Sequence, residues 1–240
     1  MDNRQYSVQQ NRGGIQVAKG SATGTISAEA TKVLRNTYTL LAMTLLFSAV
    51  MAAVSMSIGL SRGASLVCSL GALALVWFVL PRTANSSAGI AVVFAFTGLL
   101  GLSLGPIMMH YLQFSNGGQI VTQALGGTAV VFLGLSGYVL TTKKDFSFMR
   151  GMLVAGMMVV IVGMVGALVA SLFGVEVTAF SLALSAAVVF LMSGFILYDT
   201  SRIVNGGETN YIMATTGLYL SIYNLFVSLM HLLGAFSGND

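Results

Sequence analysis

The residue most suited to do chemistry in this 240-residue chain is Asp199, in the stretch FILYDTSRIVNGGETNY at 195–211. The stretch begins as the end of a long apolar run and finishes in a polar loop. An ionisable group inside or at the edge of a bilayer is costly and marks a candidate functional site. The competing reading is a solvated helix end just outside the hydrocarbon. Arg82, in PRTANSS at 81–87, is the cation that could meet Asp199. Such a pair would act as a latch released by protonation of the carboxylate, or stand as a surface ion pair worth ~0–1 kcal/mol.

Two other constellations call for weighing. Gly134-Leu-Ser136-Gly137 matches the G-x-S-G pattern of intramembrane serine proteases, and His231 could supply a base. His110 and His231, with Glu176 as a third group, could share a metal. A nucleophile and its base must come within about 3 Å. A zinc site needs three or four protein ligands, and calcium wants six to eight oxygens. Which of these groups can meet depends on the elements that carry them.

Those elements are membrane helices. The chain is 56% hydrophobic and 8% charged, with mean hydropathy +0.87, whereas soluble domains carry about 25% charge. Seven apolar runs follow a polar start, at 38–59, 64–81, 88–112, 119–141, 149–173, 178–199 and 211–236. Each is near the ~20 residues that cross ~30 Å of hydrocarbon as a helix. Open sheet edges cannot be left in lipid, and the runs are too long for barrel strands. The expected fold is therefore an all-α bundle of seven transmembrane helices. One cysteine, Cys68, excludes an intramolecular disulfide and a cysteine metal cluster. The 14 methionines are scattered and read as packing.

The distribution of Lys and Arg sets the orientation. With the N-terminus in the cytoplasm, Arg4, Arg12, Lys19, Lys32, Arg35, Arg82, Lys143, Lys144, Arg150 and Arg202 fall inside. Only Arg62 falls outside, and seven crossings leave the C-terminus in the periplasm. The net charge of +4 is thereby explained by topology, which removes the case for nucleic-acid binding. Asp199 and Arg82 share the inner side. Ser136 lies about 8 Å from that side and His231 about 30 Å from it, at 1.5 Å per residue, so the protease pair is separated. The two histidines read as interfacial, and no metal or cofactor is expected. Gly98, Gly101 and Gly105 share one face of the third helix and suit close packing inside the bundle. The seventh run carries Tyr211, Tyr219, Ser221, Tyr223, Asn224 and Ser228; a helix this polar should be buried among the others.

Six stretches together resemble the Bax inhibitor (transmembrane Bax inhibitor motif) family, and within it the bacterial YccA branch. They are KVLRNTYTLL at 32–41, AFTGLLGLSLGPI at 95–107, ALGGTAVVF at 124–132, YVLTTKKDFSFMRGML at 138–153, LYDTSRIVNGGETNYI at 197–212 and LYLSIYNLFVSLMHLLG at 218–234. The resemblance implies a seven-helix fold whose last helix is surrounded by the other six. It implies two activities. One is a pH-sensitive calcium or cation leak, gated by two aspartates that latch onto an arginine. The other, in the bacterial branch, is binding and restraining FtsH, the membrane-anchored ATP-dependent protease, in the inner membrane and without enzymatic activity. On the motif, Asp199 takes the place of the first aspartate, Ser221 that of the second, and Arg82 lies about one residue from the arginine. Ser221 cannot share a proton as a carboxylate does, which weakens the leak reading. Lys143, Lys144, Asp145, Glu208, Tyr219 and Asn224 are the other polar residues that come with the motif.

Residues 1–34 are polar and glycine-rich and read as a mostly disordered cytoplasmic tail, with a helix starting near Ser27. Residues 35–240 form the membrane domain. The start lacks the apolar region of a cleavable signal peptide, so the first helix is expected to target the chain. A tail of 34 residues could reach ~110 Å if extended. It is the one long segment that an ATP-driven protease could grip.

Overall fold

The computed structural model describes residues 26–237. Seven helices long and apolar enough to cross a membrane follow one another. They are α1 (Ala28–Ser57), α2 (Arg62–Thr83), α3 (Ala88–Leu112), α4 (Gly117–Thr142), α5 (Ser147–Leu172), α6 (Thr178–Val204) and α7 (Tyr211–Ser237). The described residues contain no strand.

The ends of the helices follow local chemistry. Ser27 caps α1 through its hydroxyl, which accepts from the Ala30 amide at 3.1 Å. The expected tail therefore gives way to helix at Ala28, and residues 28–34 are part of α1. Residues 1–25, the greater part of the expected tail, lie outside the described residues. Within α2 the turn Leu75–Val79 is π-helical. Pro81 follows it; a proline cannot donate its amide and crowds the carbonyl four residues back. The wide turn absorbs that crowding.

α6 departs from expectation. The apolar run was expected to end at Asp199, but the helix continues to Val204. Buried Ile196, Thr200, Ile203 and Val204 carry one packed stripe past the charge. Just past the helix end the chain turns at Gly206, whose φ of +75° suits a residue without a side chain.

The interior of the bundle is shared by α3 and α7. α3 packs on α1 so closely that a Cβ on Gly101 would lie 2.9 Å from Ser48 Cα, and one on Gly98 2.8 Å from Phe47. The glycine face predicted for close packing is thus turned to α1. α7 touches α1, α3, α4 and α6, while α2 packs on α3 and α5 on α6 at the periphery. Much of what the core buries is hydroxyl-bearing: Thr37, Thr44, Ser48, Thr97, Ser103, Ser136, Thr200 and Thr215 are all under 5% exposed. A hydroxyl in a helix can return its proton to the carbonyl a turn earlier, as Thr44 does to Leu41 and Ser103 to Leu100, whereas the buried Thr37 hydroxyl has no partner among the described residues.

Candidate functional site

Most of the charged residues singled out from sequence gather at one end of the bundle, called here the basic end. Asp199 lies five residues inside the C-terminus of α6. Its side chain rests against α7 at Gly217, where a Cβ would sit 2.9 Å from Asp199 Oδ2. A side chain at that position would force the carboxylate to shift. Ser221, one turn along α7 and buried, donates to the Gly217 carbonyl at 3.1 Å. Asp199 and Ser221 therefore converge on the same backbone segment.

Arg82 does not join them. It is exposed, and its guanidinium donates to the Phe78 carbonyl of its own helix. α2 and α6 make no contact. Among the described residues the ion pair is Arg202–Glu208 at 3.0 Å, and Asp199 has none. Arg202 also donates to the Gly207 carbonyl at 3.2 Å and lies 5.6 Å from the centre of the Tyr198 ring. The cation nearest to Asp199 in sequence is thus turned towards the α6–α7 loop.

That loop and the one before α5 are tied down by α6. Lys143 ends α4 in the left-handed conformation, with φ 53°. Lys144 Nζ lies 3.0 Å from the Tyr138 hydroxyl, and this hydrogen bond holds the ammonium above its usual pKa. Asp145 accepts from the Ser147 amide at 2.8 Å and from its hydroxyl at 2.5 Å, which holds the carboxyl below the usual range. Ser201 clasps the loop: it donates to the Lys144 carbonyl at 3.2 Å and accepts from the Phe146 amide at 2.9 Å. Glu208 adds a second bond, accepting from the Asn210 amide at 3.0 Å.

Asn210 was not singled out from sequence, yet it joins three elements. Its Oδ1 caps α7 by accepting from the amides of Ile212 (2.9 Å) and Met213 (3.1 Å). Its Nδ2 donates to the Ala84 carbonyl (3.0 Å) and Asn85 Oδ1 (2.8 Å), in the α2–α3 loop. The signal was an asparagine just before an apolar run, the ordinary mark of an N-cap.

Deeper in the bundle α7 is held by its tyrosines. The Tyr219 hydroxyl meets Ser48 Oγ of α1 at 2.6 Å, and the Tyr223 hydroxyl meets Ser103 Oγ of α3 at 2.9 Å. Asn224 spends its amide on its own helix, donating to the Leu220 carbonyl at 2.8 Å. The structure keeps Ser136 and His231 on different partners: Ser136 pairs with Thr200 at 3.3 Å, and His231 Nδ1 with Ser185 Oγ at 2.7 Å. His110 packs edge-on to Tyr111 and Phe114. Among the described residues no three His, Cys, Asp or Glu side chains gather as metal ligands would.

The sequence matches a family profile described as "Inhibitor of apoptosis-promoting Bax1" over residues 30–238. The chain belongs to the Bax inhibitor family. It is 50% identical over 212 residues to an "Uncharacterized membrane protein" of Vibrio cholerae, covering 88% of this chain and 93% of that one. It is 49% identical over 209 residues to the "Modulator of FtsH protease YccA" of Escherichia coli K12, covering 87% and 92% respectively. A Pseudomonas aeruginosa relative is 47% identical over 212 residues, covering 88% and 93%. This Bax inhibitor family protein is thus similar to its bacterial relatives along nearly the whole membrane region.

Proposed function

We propose that this membrane protein is a non-enzymatic modulator of FtsH, which it binds and restrains in the bacterial inner membrane, with the N-terminus in the cytoplasm. The observation that carries the reading is the 49% identity to the E. coli modulator of FtsH protease over 92% of that protein's length. The ten-to-one distribution of Lys and Arg supports the orientation. It places the basic end, with Asp199, Arg202, Glu208 and the Lys143–Asp145 loop, on the side where a cytoplasmic partner could reach it. The test is a pull-down of the tagged full chain from membranes, followed by degradation assays of FtsH substrates with and without it. Retention of FtsH and slower substrate turnover are the expected results. Unchanged turnover at saturating protein overturns the reading.

A second reading, a cation leak, is favoured by one feature: Asp199 is a carboxylate without an ion pair among the described residues. In that reading Asp199 draws a cation such as calcium into the basic end, and Arg82 is its latch in another arrangement of α2. Flux into liposomes that falls on Asp199→Asn supports it; no flux at neutral or mildly acidic pH removes it.

A further inference from the structure

On the face of the bundle between α1 and α4, whose backbones stay apart, a cavity of about 630 Å³ opens over the middle of α7. We propose that it holds one acyl chain of a phospholipid, retained there in preference to the surrounding bilayer.

Two observations specify the occupant. The first is chemical. The polar side chains of the lining are Ser48, Thr128, Tyr219 and Tyr223, and the proton of each has a partner inside the protein. Thr128 donates to the Ala124 carbonyl at 2.7 Å. Ser48 is bonded to Tyr219, which can pass its own proton to the Thr97 carbonyl at 3.4 Å. Tyr223 is bonded to Ser103, whose proton goes to the Leu100 carbonyl at 2.7 Å. The groove offers no free donor, so what fills it must be hydrocarbon.

The second is length. Along α1 the lining runs from Leu45 to Met56, which is ~16 Å at 1.5 Å per residue. Half of a ~30 Å hydrocarbon core is ~15 Å, the depth of one leaflet. The groove runs from near the middle of α1 to its C-terminal end. Under the orientation that the basic residues favour, it serves the outer leaflet.

Lipid tails are already in an apolar medium, so the preference comes from packing rather than from the hydrophobic effect. It should be modest, about three- to fivefold over an ordinary lipid-facing surface. The test uses the full chain in phosphatidylethanolamine vesicles doped with phospholipids that carry a photoreactive diazirine on the acyl chain. Adducts are mapped by mass spectrometry. The groove should be labelled at least threefold above exposed Val159 and Val162 of α5, which serve as bulk-lipid references. A diazirine at the chain terminus should mark Leu45 and Tyr219, and one close to the headgroup Met56 and Met108. Ala129→Trp, from the α4 wall, should bring groove labelling down to the reference level. Ala53→Phe, from the α1 wall, should do the same. Both alanines are exposed, so the fold should survive either change. Groove labelling no higher than that of Val159, a reversed depth order, or labelling unmoved by both substitutions would each overturn the proposal.

Discussion

Tyr219 shows how a few hydroxyls hold this bundle. It is almost fully buried, packs edge-on against Phe96 with ring centres 5.2 Å apart, and joins α7 to α1 through Ser48. Tyr219→Phe keeps the ring and removes the bond. Interhelical hydrogen bonds in membranes average about 0.6 kcal/mol and reach about 1.7. The expected loss of stability lies in that range, read by reversible unfolding in lipid bicelles. Gly101 should be costlier. A Cβ there would meet Ser48 Cα at 2.9 Å, so Gly101→Ala must push α1 away from α3, at about 1–3 kcal/mol. Gly126→Ala is the control: nothing lies within 4 Å of its Cβ position, and replacing a helical glycine there should be neutral or slightly stabilising. At the basic end, Asp145 gives a pH dependence of definite sign. Its carboxyl is held below the usual value by Ser147, so the bonds to the carboxylate are complete above that value, ~3.9. They are lost as the pH falls through the lower, folded value. The group is exposed, so the effect belongs to the loop and not to the bundle. Faster exchange of the Ser147 amide only at strongly acid pH, abolished as a pH effect by Asp145→Ala, is the expected outcome.

The elements differ in how legible they were. All seven helices could be read from their length and hydropathy, because a bilayer fixes the span a helix must cover. Ser27 could be read because capping is local. The end of α6 could not. Asp199 and Arg202 look like an exit into water, but the stripe through Ile196, Thr200 and Ile203 is a tertiary feature, set by α7 lying alongside. That the Asp199–Arg82 pair is not formed in this arrangement has a related reason. Lys and Arg counts place residues on a side of the membrane, not around the ring. The ring puts α2 against α3 and leaves it out of contact with α6. Asn210 carries the clearest prediction at this scale, since it both caps α7 and tethers the α2–α3 loop. Asn210→Ala should cost about 0.5–2 kcal/mol as a lost cap. It should also raise amide exchange around Ala84 and Asn85, which a pure capping loss would leave alone. Asn210→Asp should restore the cap but not the two bonds that the side-chain amide donates to the loop.

For the whole molecule, the bundle and the segment before it make separable contributions to the proposed relation with FtsH. An ATP-driven protease must engage an end before it can pull, and a bundle tied across α1, α3, α4, α6 and α7 resists extraction. Residues 1–25 precede the Ser27 cap and would reach about 80 Å if extended, at ~3.3 Å per residue. A deletion of residues 2–25 leaves Ser27, its bond to Ala30 and all of α1 in place, so the membrane domain should keep its stability. If the segment is the handle, the shortened protein should be degraded by reconstituted FtsH several-fold more slowly than the full chain. Replacing the deleted residues with an unrelated polar sequence of equal length should restore turnover, because the requirement is reach and not sequence. Tyr219→Phe in the full chain should act in the opposite direction, loosening the bundle and speeding degradation. Equal degradation rates for the full and shortened chains would place the grip elsewhere, and would leave the basic end of the bundle as the surface to test next.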